Sequence, residues 1–266
     1  MLTAVAQFGP TTDPEANYAA IERLTARARA GGAELVVFPE ESMILTEGLT
    51  RPLADTVHDE WPKFEDRMSR LAALQHIAIV IGGYEPNGTT RPNNTLLAIA
   101  ADGAVAARYR KLHLYDAFAY QESSYVTAGS VMPPVVELAG VRVGLLNCYD
   151  VRFPEMARHL IGLDAELITI SAAWVAGRRK EDHWETLVRA RAIENTVWVC
   201  AAGSISPDCI GDSLIVDPMG IVRVAVGDEP ETVAIVEISP TRTDAVRDTL
   251  PALKNRRIDL AMSVKD

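Results

Sequence analysis

Three separated segments place a side chain able to do acid–base or nucleophilic chemistry just after a predicted strand. Glu40, Lys111 and Cys148 are these side chains. Residues at the carboxyl ends of strands reach the crevice in which α/β proteins bind ligands, which favours Glu40 as a site residue. A thiol at a strand-to-helix turn, as predicted for Cys148, lies beside free backbone N–H groups, which lower its pKa and bind an oxyanion. The Cys148 turn is therefore a candidate for nucleophilic chemistry.

Each of these residues, taken alone, also has a purely structural interpretation. Glu40, followed by Glu41, is typical of a solvated loop acid. Lys111 in YRKLHLYD is typical of an exposed basic edge that protects a strand from pairing. Cys148 is compatible with a small buried hydrophobe, as most free cysteines are. A functional interpretation therefore depends on the three segments occurring together.

The elements that must position these side chains alternate short β-rich runs with longer helical patterns. Strands are predicted at 2–8, 34–38, 77–83, 94–100, 104–110, 134–139, 141–147, 166–171, 196–202, 212–217, 221–227 and 232–238. Helices are predicted at 14–30, 61–76, 154–161, 182–195 and 241–249. Because strand–helix–strand units mix with hairpins and no linker interrupts them, we predict one α/β domain, residues 1–266, with mixed sheets inside and helices outside.

Composition and charge argue against several classes of protein. The net charge of −10 leaves no overall basic character for a nucleic-acid partner. No apolar run approaches the roughly 20 residues needed to cross a bilayer, and the N-terminus lacks a signal-peptide pattern, so we expect a cytoplasmic protein. The three cysteines have neither disulfide nor zinc spacing. Cys200 is expected in the core and Cys209 in a polar loop without a role, and no metal or organic cofactor is expected.

In combination the three motifs are much more specific than each alone. FPE at 38–40, RKLHLYD at 110–116 and NCYDVRFPE at 147–155, in this order, resemble the nitrilase (carbon–nitrogen hydrolase) superfamily. The resemblance extends from AVAQF at 4–8 to GDSLIVDPMG at 211–220. It implies a four-layer αββα sandwich, usually assembled as a homodimer or a larger homo-oligomer. It also implies a hydrolase that acts on carbon–nitrogen bonds other than peptide bonds.

The resemblance implies a Glu-Lys-Cys triad of Glu40, Lys111 and Cys148, with Glu122 as a second glutamate. Cys148 would attack the amide carbonyl, Glu40 would shuttle the proton, and Lys111 would stabilise the oxyanion together with the backbone N–H of Tyr149. Lys111 is expected to favour the ionised forms of both its catalytic neighbours. Glu122 would orient Lys111 or the substrate amide. A Cys148–His113 dyad is the alternative arrangement.

The motifs are most similar to the branch that holds omega-amidase and deaminated-glutathione amidase, which implies a small amide-bearing acid as substrate. The loop SAAWVAGRRKEDHW at 171–184 departs from the loop typical of those enzymes. In it, Trp174 would form an apolar wall, and Arg178, Arg179 or Lys180 would hold a carboxylate, with Arg178 as the first candidate. An N-carbamoyl amidohydrolase, an acyl-transferring relative and a non-catalytic binding module remain alternatives.

Overall fold

Two six-stranded mixed sheets form the centre of the protein in a computed structural model, which describes residues 1–258 and 262–265. The first sheet contains, in spatial order, β16 (Glu231–Glu237), β1 (Leu2–Phe8), β2 (Leu35–Val37), β3 (Ala78–Glu85), β4 (Asn93–Ile99) and β5 (Val105–Arg110). Strands β1, β2 and β3 are parallel to one another, and the other pairs are antiparallel.

The second sheet has the order β15 (Val222–Ala225), β14 (Leu214–Val216), β11 (Trp198–Gly203), β10 (Leu167–Ala172), β9 (Val141–Asn147) and β8 (Val135–Leu138). Its three middle strands, β9, β10 and β11, are parallel. Two short antiparallel pairs lie outside the sheets: β6 (Asp116–Ala117) with β7 (Tyr120–Gln121), and β12 (Ile205–Ser206) with β13 (Cys209–Ile210).

The two sheets pack face to face, and helices cover their outer faces. The inner core joins residues such as Val5 and Val80 of the first sheet to Leu145 and Ile170 of the second. Helices α1 (Pro14–Ala30) and α2 (Leu53–Gln75) pack on the first sheet, and α3 (Pro154–Gly162) and α4 (Lys180–Asn195) pack on the second. The last helix, α5 (Pro240–Thr249), follows β16. The predicted αββα sandwich is thereby confirmed.

Local sequence signals explain most element boundaries. Helix α1 begins where the Asp13 side chain accepts a hydrogen bond from the backbone N–H of Glu15 at 3.0 Å, with Pro14 in the first position. The predicted start of the second helix at residue 61 is wrong, because α2 begins at Leu53 and continues through Pro62. Pro62 removes one backbone donor. Burial of Trp61, Phe64 and other residues against the sheet offsets that loss.

No helix in the described part of the chain is long and apolar enough to span a membrane. The single domain at 1–266 stays a prediction, and residues 259–261 and 266 of it lie outside the described residues. The fold brings several strand ends together. The residues after β2, β5, β9 and β10 supply the side chains and N–H groups of the site described next.

Candidate active site

Cys148 occupies a sharp turn between a buried strand and a short helix. It follows β9 and begins a 3-10 helix that runs from Cys148 to Arg152. Its backbone has a φ of 46°, a left-handed conformation that is uncommon for a non-glycine residue. Such strain costs on the order of 1–3 kcal/mol and persists where the surrounding structure fixes it. The turn directs the sulfur into a cavity, as predicted for a nucleophile, although the thiol itself is only 6% exposed.

Glu40 and Lys111 form a buried ion pair beside this thiol. Lys111 Nζ donates to Glu40 Oε1 at 2.6 Å, and the two side chains are 2% and 4% exposed. The second oxygen of Glu40 accepts from the backbone N–H of Ala173, which follows β10, at 2.8 Å. Three separate strand ends therefore fix the position of one carboxylate.

Glu122 supplies the second carboxylate of the cluster. It begins a 3-10 helix at Glu122–Ser124 and accepts from Lys111 Nζ at 2.9 and 3.1 Å. The backbone N–H of Tyr115 donates to Glu122 Oε2 at 2.6 Å. The side chain of Glu122 is buried, so it is not a solvent-facing loop acid. Glu122 is placed to orient Lys111.

Asn94 of β4 joins the two carboxylates, although no motif in the sequence predicted it. Its Nδ2 donates to Glu40 Oε1 at 2.7 Å and to Glu122 Oε1 at 3.0 Å. Its Oδ1 accepts from Asn147 Nδ2 at 2.9 Å, which connects the cluster to the residue before Cys148. A polar pair inside the otherwise apolar strand NNTLLAI was the signal that could have indicated it.

The electrostatics of the cluster keep Glu40 ionised and Cys148 protonated at rest. Burial opposes ionisation of Glu40, but the charge and hydrogen bond of Lys111 hold the pKa of that carboxyl below its usual value. Burial opposes protonation of Lys111, yet Glu122 and Glu40 raise its pKa well above the usual value. Burial and then the charge of Glu40 raise the pKa of the Cys148 thiol, against the opposing effect of Lys111. Lys111 thus favours the ionised thiol, as expected, but burial and the charge of Glu40 outweigh its effect.

A cavity of about 880 Å³ opens over the cluster. Glu40, Lys111, Cys148 and Glu122 all line it. Its walls include the predicted substrate contacts Tyr149 and Trp174, and four further tyrosines, Tyr84, Tyr115, Tyr120 and Tyr125. Glu41 also lines the cavity, where it accepts from Tyr84 Oη at 2.6 Å. Aromatic walls with a few charged groups are typical of small-molecule sites.

Two expectations about the cavity are wrong. Arg178 is exposed and does not line it, because α4 begins at Lys180 and the chain turns through a left-handed Arg179 just before. Of the three basic residues, only Lys180 is buried in the cavity wall. Cys209, expected in a polar loop, lies in β13, and its buried thiol lines the cavity with a pKa raised by burial to about 12.

His113 is held by other partners. Its Nδ1 lies 2.8 Å from Asp150 Oδ1, and its ring stacks on Phe153 with 3.7 Å between ring centroids. The ring does not line the cavity that contains Cys148. The Cys148 thiol is instead affected by the charge and a hydrogen bond of Glu40. This disfavours the Cys148–His113 dyad.

Comparison with known proteins identifies the family. Residues 2–248 match the family model described as carbon–nitrogen hydrolase. The chain belongs to the carbon–nitrogen hydrolase family. It is 38% identical to a deaminated glutathione amidase of Escherichia coli O157:H7 over 97% of both chains. This carbon–nitrogen hydrolase is therefore an enzyme of the nitrilase superfamily, as its motifs indicated.

Solved structures of other members agree with this fold. The Caenorhabditis elegans NitFhit protein superposes with a TM-score of 0.87 and 30% identity, over 96% of this chain and 65% of that longer chain. NitN amidase of Nesterenkonia sp. AN1 gives a TM-score of 0.84 and 27% identity, over 97% and 96% of the two chains. A mutant of that amidase carries the acetamide moiety of fluoroacetamide covalently added at its active-site cysteine.

Proposed function

We propose that this hydrolase cleaves the amide bond of a small, carboxylate-bearing compound through a thioester on Cys148 and releases ammonia. One observation carries the proposal. An ionised base, a buried ammonium and a protonated thiol converge on the floor of one cavity. These are the base, charge stabiliser and nucleophile that acyl transfer requires.

The first half of the reaction forms the thioester. Glu40 takes the proton of the Cys148 thiol as the sulfur attacks the carbonyl carbon, so that a thiolate never has to accumulate in the buried site. The carbonyl oxygen becomes an oxyanion. Lys111 Nζ and the backbone N–H of Tyr149 stabilise this charge, since the first N–H groups of a helix have no partner within it. The carbon–nitrogen bond then breaks, and Glu40 returns the proton to the nitrogen, which leaves as ammonia.

The second half hydrolyses the thioester. Glu40 takes a proton from water, and the resulting hydroxide oxygen attacks the thioester carbonyl. The carbon–sulfur bond breaks, and the proton held by Glu40 returns to the sulfur of Cys148. The product is a carboxylic acid, and the enzyme regains its starting protonation state. Glu122 holds Lys111 in position through its hydrogen bonds to Nζ.

Measurement of ammonia release tests this function. The panel contains omega-amides of dicarboxylic acids, deaminated glutathione and N-carbamoyl amino acids, each with wild type and Cys148→Ala. We expect the wild type to turn over amides and Cys148→Ala to fold normally but lose turnover. Equal activity in the variant would exclude the nucleophile, and turnover of N-carbamoyl compounds alone would make the protein a carbamoyl hydrolase.

Selective labelling separates the enzyme from an inert binding module. A haloacetamide that resembles an amide substrate should label Cys148 faster than Cys209, because Glu40 can accept the proton of Cys148. Peptide mass mapping after short exposure measures both rates. Equal rates would favour the binding module. The homo-oligomeric state and the cytoplasmic location stay predictions.

A further inference from the structure

Lys180 is a buried cation in the cavity wall with no acidic partner among the described residues. Its side chain is 4% exposed, and its Nζ donates to Tyr115 Oη at 2.6 Å. The ammonium also lies 4.1 Å from the ring centroid of Phe118 and 5.6 Å from that of Trp174. No carboxylate described by the structure lies within 4.0 Å of it, whereas Lys111 in the same cavity has two.

The energetics of burial make this arrangement unusual. An ammonium has three donors, and the Tyr115 hydroxyl satisfies one. Aromatic rings attract the charge but do not accept the remaining N–H groups as a carboxylate would. Burial and the nearby charge of Arg152 lower the pKa of Lys180, which is the effect of a cation lacking a compensating anion. An anion that enters the cavity would accept hydrogen bonds from the remaining N–H groups. Its negative charge would also raise the pKa of Lys180 again.

Lys180 is tied to the catalytic cluster through two neighbouring residues. Tyr115 holds Lys180 with its hydroxyl and Glu122 with its backbone N–H. Trp174, whose Nε1 donates to the backbone oxygen of Lys180 at 2.9 Å, directly follows the residue whose N–H fixes Glu40. The ammonium is therefore held at a fixed place relative to the reacting carbonyl. Since Cys148 and Lys180 line the same cavity, a substrate with its amide at Cys148 would present a second group to Lys180.

We propose that Lys180 binds the carboxylate of the substrate and thereby selects amide-bearing acids over neutral amides. This proposal rests on the amidase function proposed above and adds the residue that decides its substrate class. It replaces Arg178, which lies outside the cavity. Since a charge-assisted hydrogen bond in a buried site also orients its ligand, the carboxylate would set which carbonyl meets Cys148.

The test compares acids with neutral amides of the same length. Succinamate and glutaramate carry the carboxylate, and butyramide and pentanamide carry a methyl group in its place. We expect Lys180→Met to lower kcat/KM for the two acids by roughly 10- to 100-fold, mainly through KM, as expected for loss of one charged hydrogen bond. The two neutral amides should be unaffected, and Lys180→Arg should keep most of the activity on the acids. Arg178→Met is the matched control and should change neither class.

Three results would overturn the proposal. An equal fall for acids and neutral amides would show that Lys180 only supports the loop, and no fall for either would show that it does not bind substrate. Calorimetric binding of succinamate to Cys148→Ala, with and without Lys180→Met, gives a readout without turnover, and equal affinities would also refute the proposal. If the wild type cleaved none of the four amides, the proposed amidase function would fail first. If wild type and Lys180→Met cleaved the acids equally well, the amidase function would stand and only this inference would fail.

Discussion

At the scale of single residues, the balance of buried charge decides which group carries the proton. Two carboxylates, Glu40 and Glu122, share one ammonium, Lys111, so the ionised cluster has one excess negative charge. A thiolate at Cys148 would add a second. Burial and then the charge of Glu40 therefore keep the thiol protonated until Lys111 can stabilise a substrate oxyanion. Proton transfer to Glu40 and attack on the carbonyl are expected to be coupled for this reason.

Glu41 gives a pH-dependent prediction at the same scale. Burial raises its pKa from 4.5 to about 7 despite hydrogen bonds from Tyr84 and Thr46. The folded state thus holds a proton that the unfolded state has lost above about pH 4.5, so stability falls as the pH rises from about 4.5 to about 7. The shift corresponds to about 3 kcal/mol in total. Glu41→Gln removes this penalty.

Urea unfolding at pH 5, 6, 7 and 8 checks the prediction. The free energy of unfolding of Glu41→Gln minus that of wild type should increase between pH 5 and 7 and then level off. Glu47→Gln, which removes an exposed carboxylate of the same cavity, is measured in parallel. A difference between Glu41→Gln and wild type that is flat across this range would contradict the assigned protonation of Glu41.

At the scale of elements, the close approach of β3 to the loop after β2 positions the base. A Cβ at Gly82 would lie 1.9 Å from the backbone oxygen of Glu40 and 2.5 Å from its Cα. Only glycine allows this approach. The Gly82 N–H also donates to the oxygen of Pro39 at 3.1 Å. The conformation of FPE is therefore determined by the neighbouring strand and not only by its own residues.

Gly82→Ala is expected to displace Glu40 and lower kcat/KM by about 100-fold, the usual effect of misplacing a catalytic group by about 1 Å. The variant should also lose about 1–3 kcal/mol of stability through overpacking. Ammonia release and thermal unfolding measure the two effects. Gly162→Ala in α3 is the control, since a Cβ there meets nothing within 4 Å. Wild-type activity in Gly82→Ala would show that the base tolerates displacement.

At the scale of the whole molecule, buried hydrogen bonds connect the two sheets. Gln7 of β1 accepts at its Oε1 from the backbone N–H of Ser213 at 2.9 Å and from its hydroxyl at 2.8 Å. Its Nε2 donates to the backbone oxygens of Gly227 and Glu229 at 2.9 and 2.7 Å. One side chain of the first sheet thus makes hydrogen bonds with four polar groups, in the segments just before β14 and just after β15 of the second sheet.

Gln7→Leu should destabilise the protein by about 1–3 kcal/mol, because the Ser213 N–H loses its partner in a buried place. Thermal and urea unfolding measure the change, and Tm should fall by several degrees. Gln121→Leu, at an exposed position, is the control and should have little effect. A Gln7→Leu variant as stable as wild type would mean that the sheets are held together by apolar packing alone.

Local sequence patterns predicted most of the architecture and the three motif residues. Hydrophobic periodicity, caps and turns are local properties, so they indicated the five described helices and the twelve strands of the two large sheets. They did not indicate the short strands β6, β7, β12 and β13. The start of α2 was missed because Pro62 normally marks a helix boundary, and packing against the sheet offset that preference. The order of the three motifs indicated the family, which the family match confirmed.

The tertiary structure decided which side chains share the cavity. Asn94 and Lys180 are far from Cys148 in sequence, and only the meeting of separate strand ends brings them to one site. Arg178 and Lys180 lie two residues apart with similar chemistry, yet the turn before α4 leaves one exposed and buries the other. Burial and charge pairing depend on such contacts between distant segments. They therefore raise the pKa values of Cys148 and Glu41, which local sequence alone could not specify.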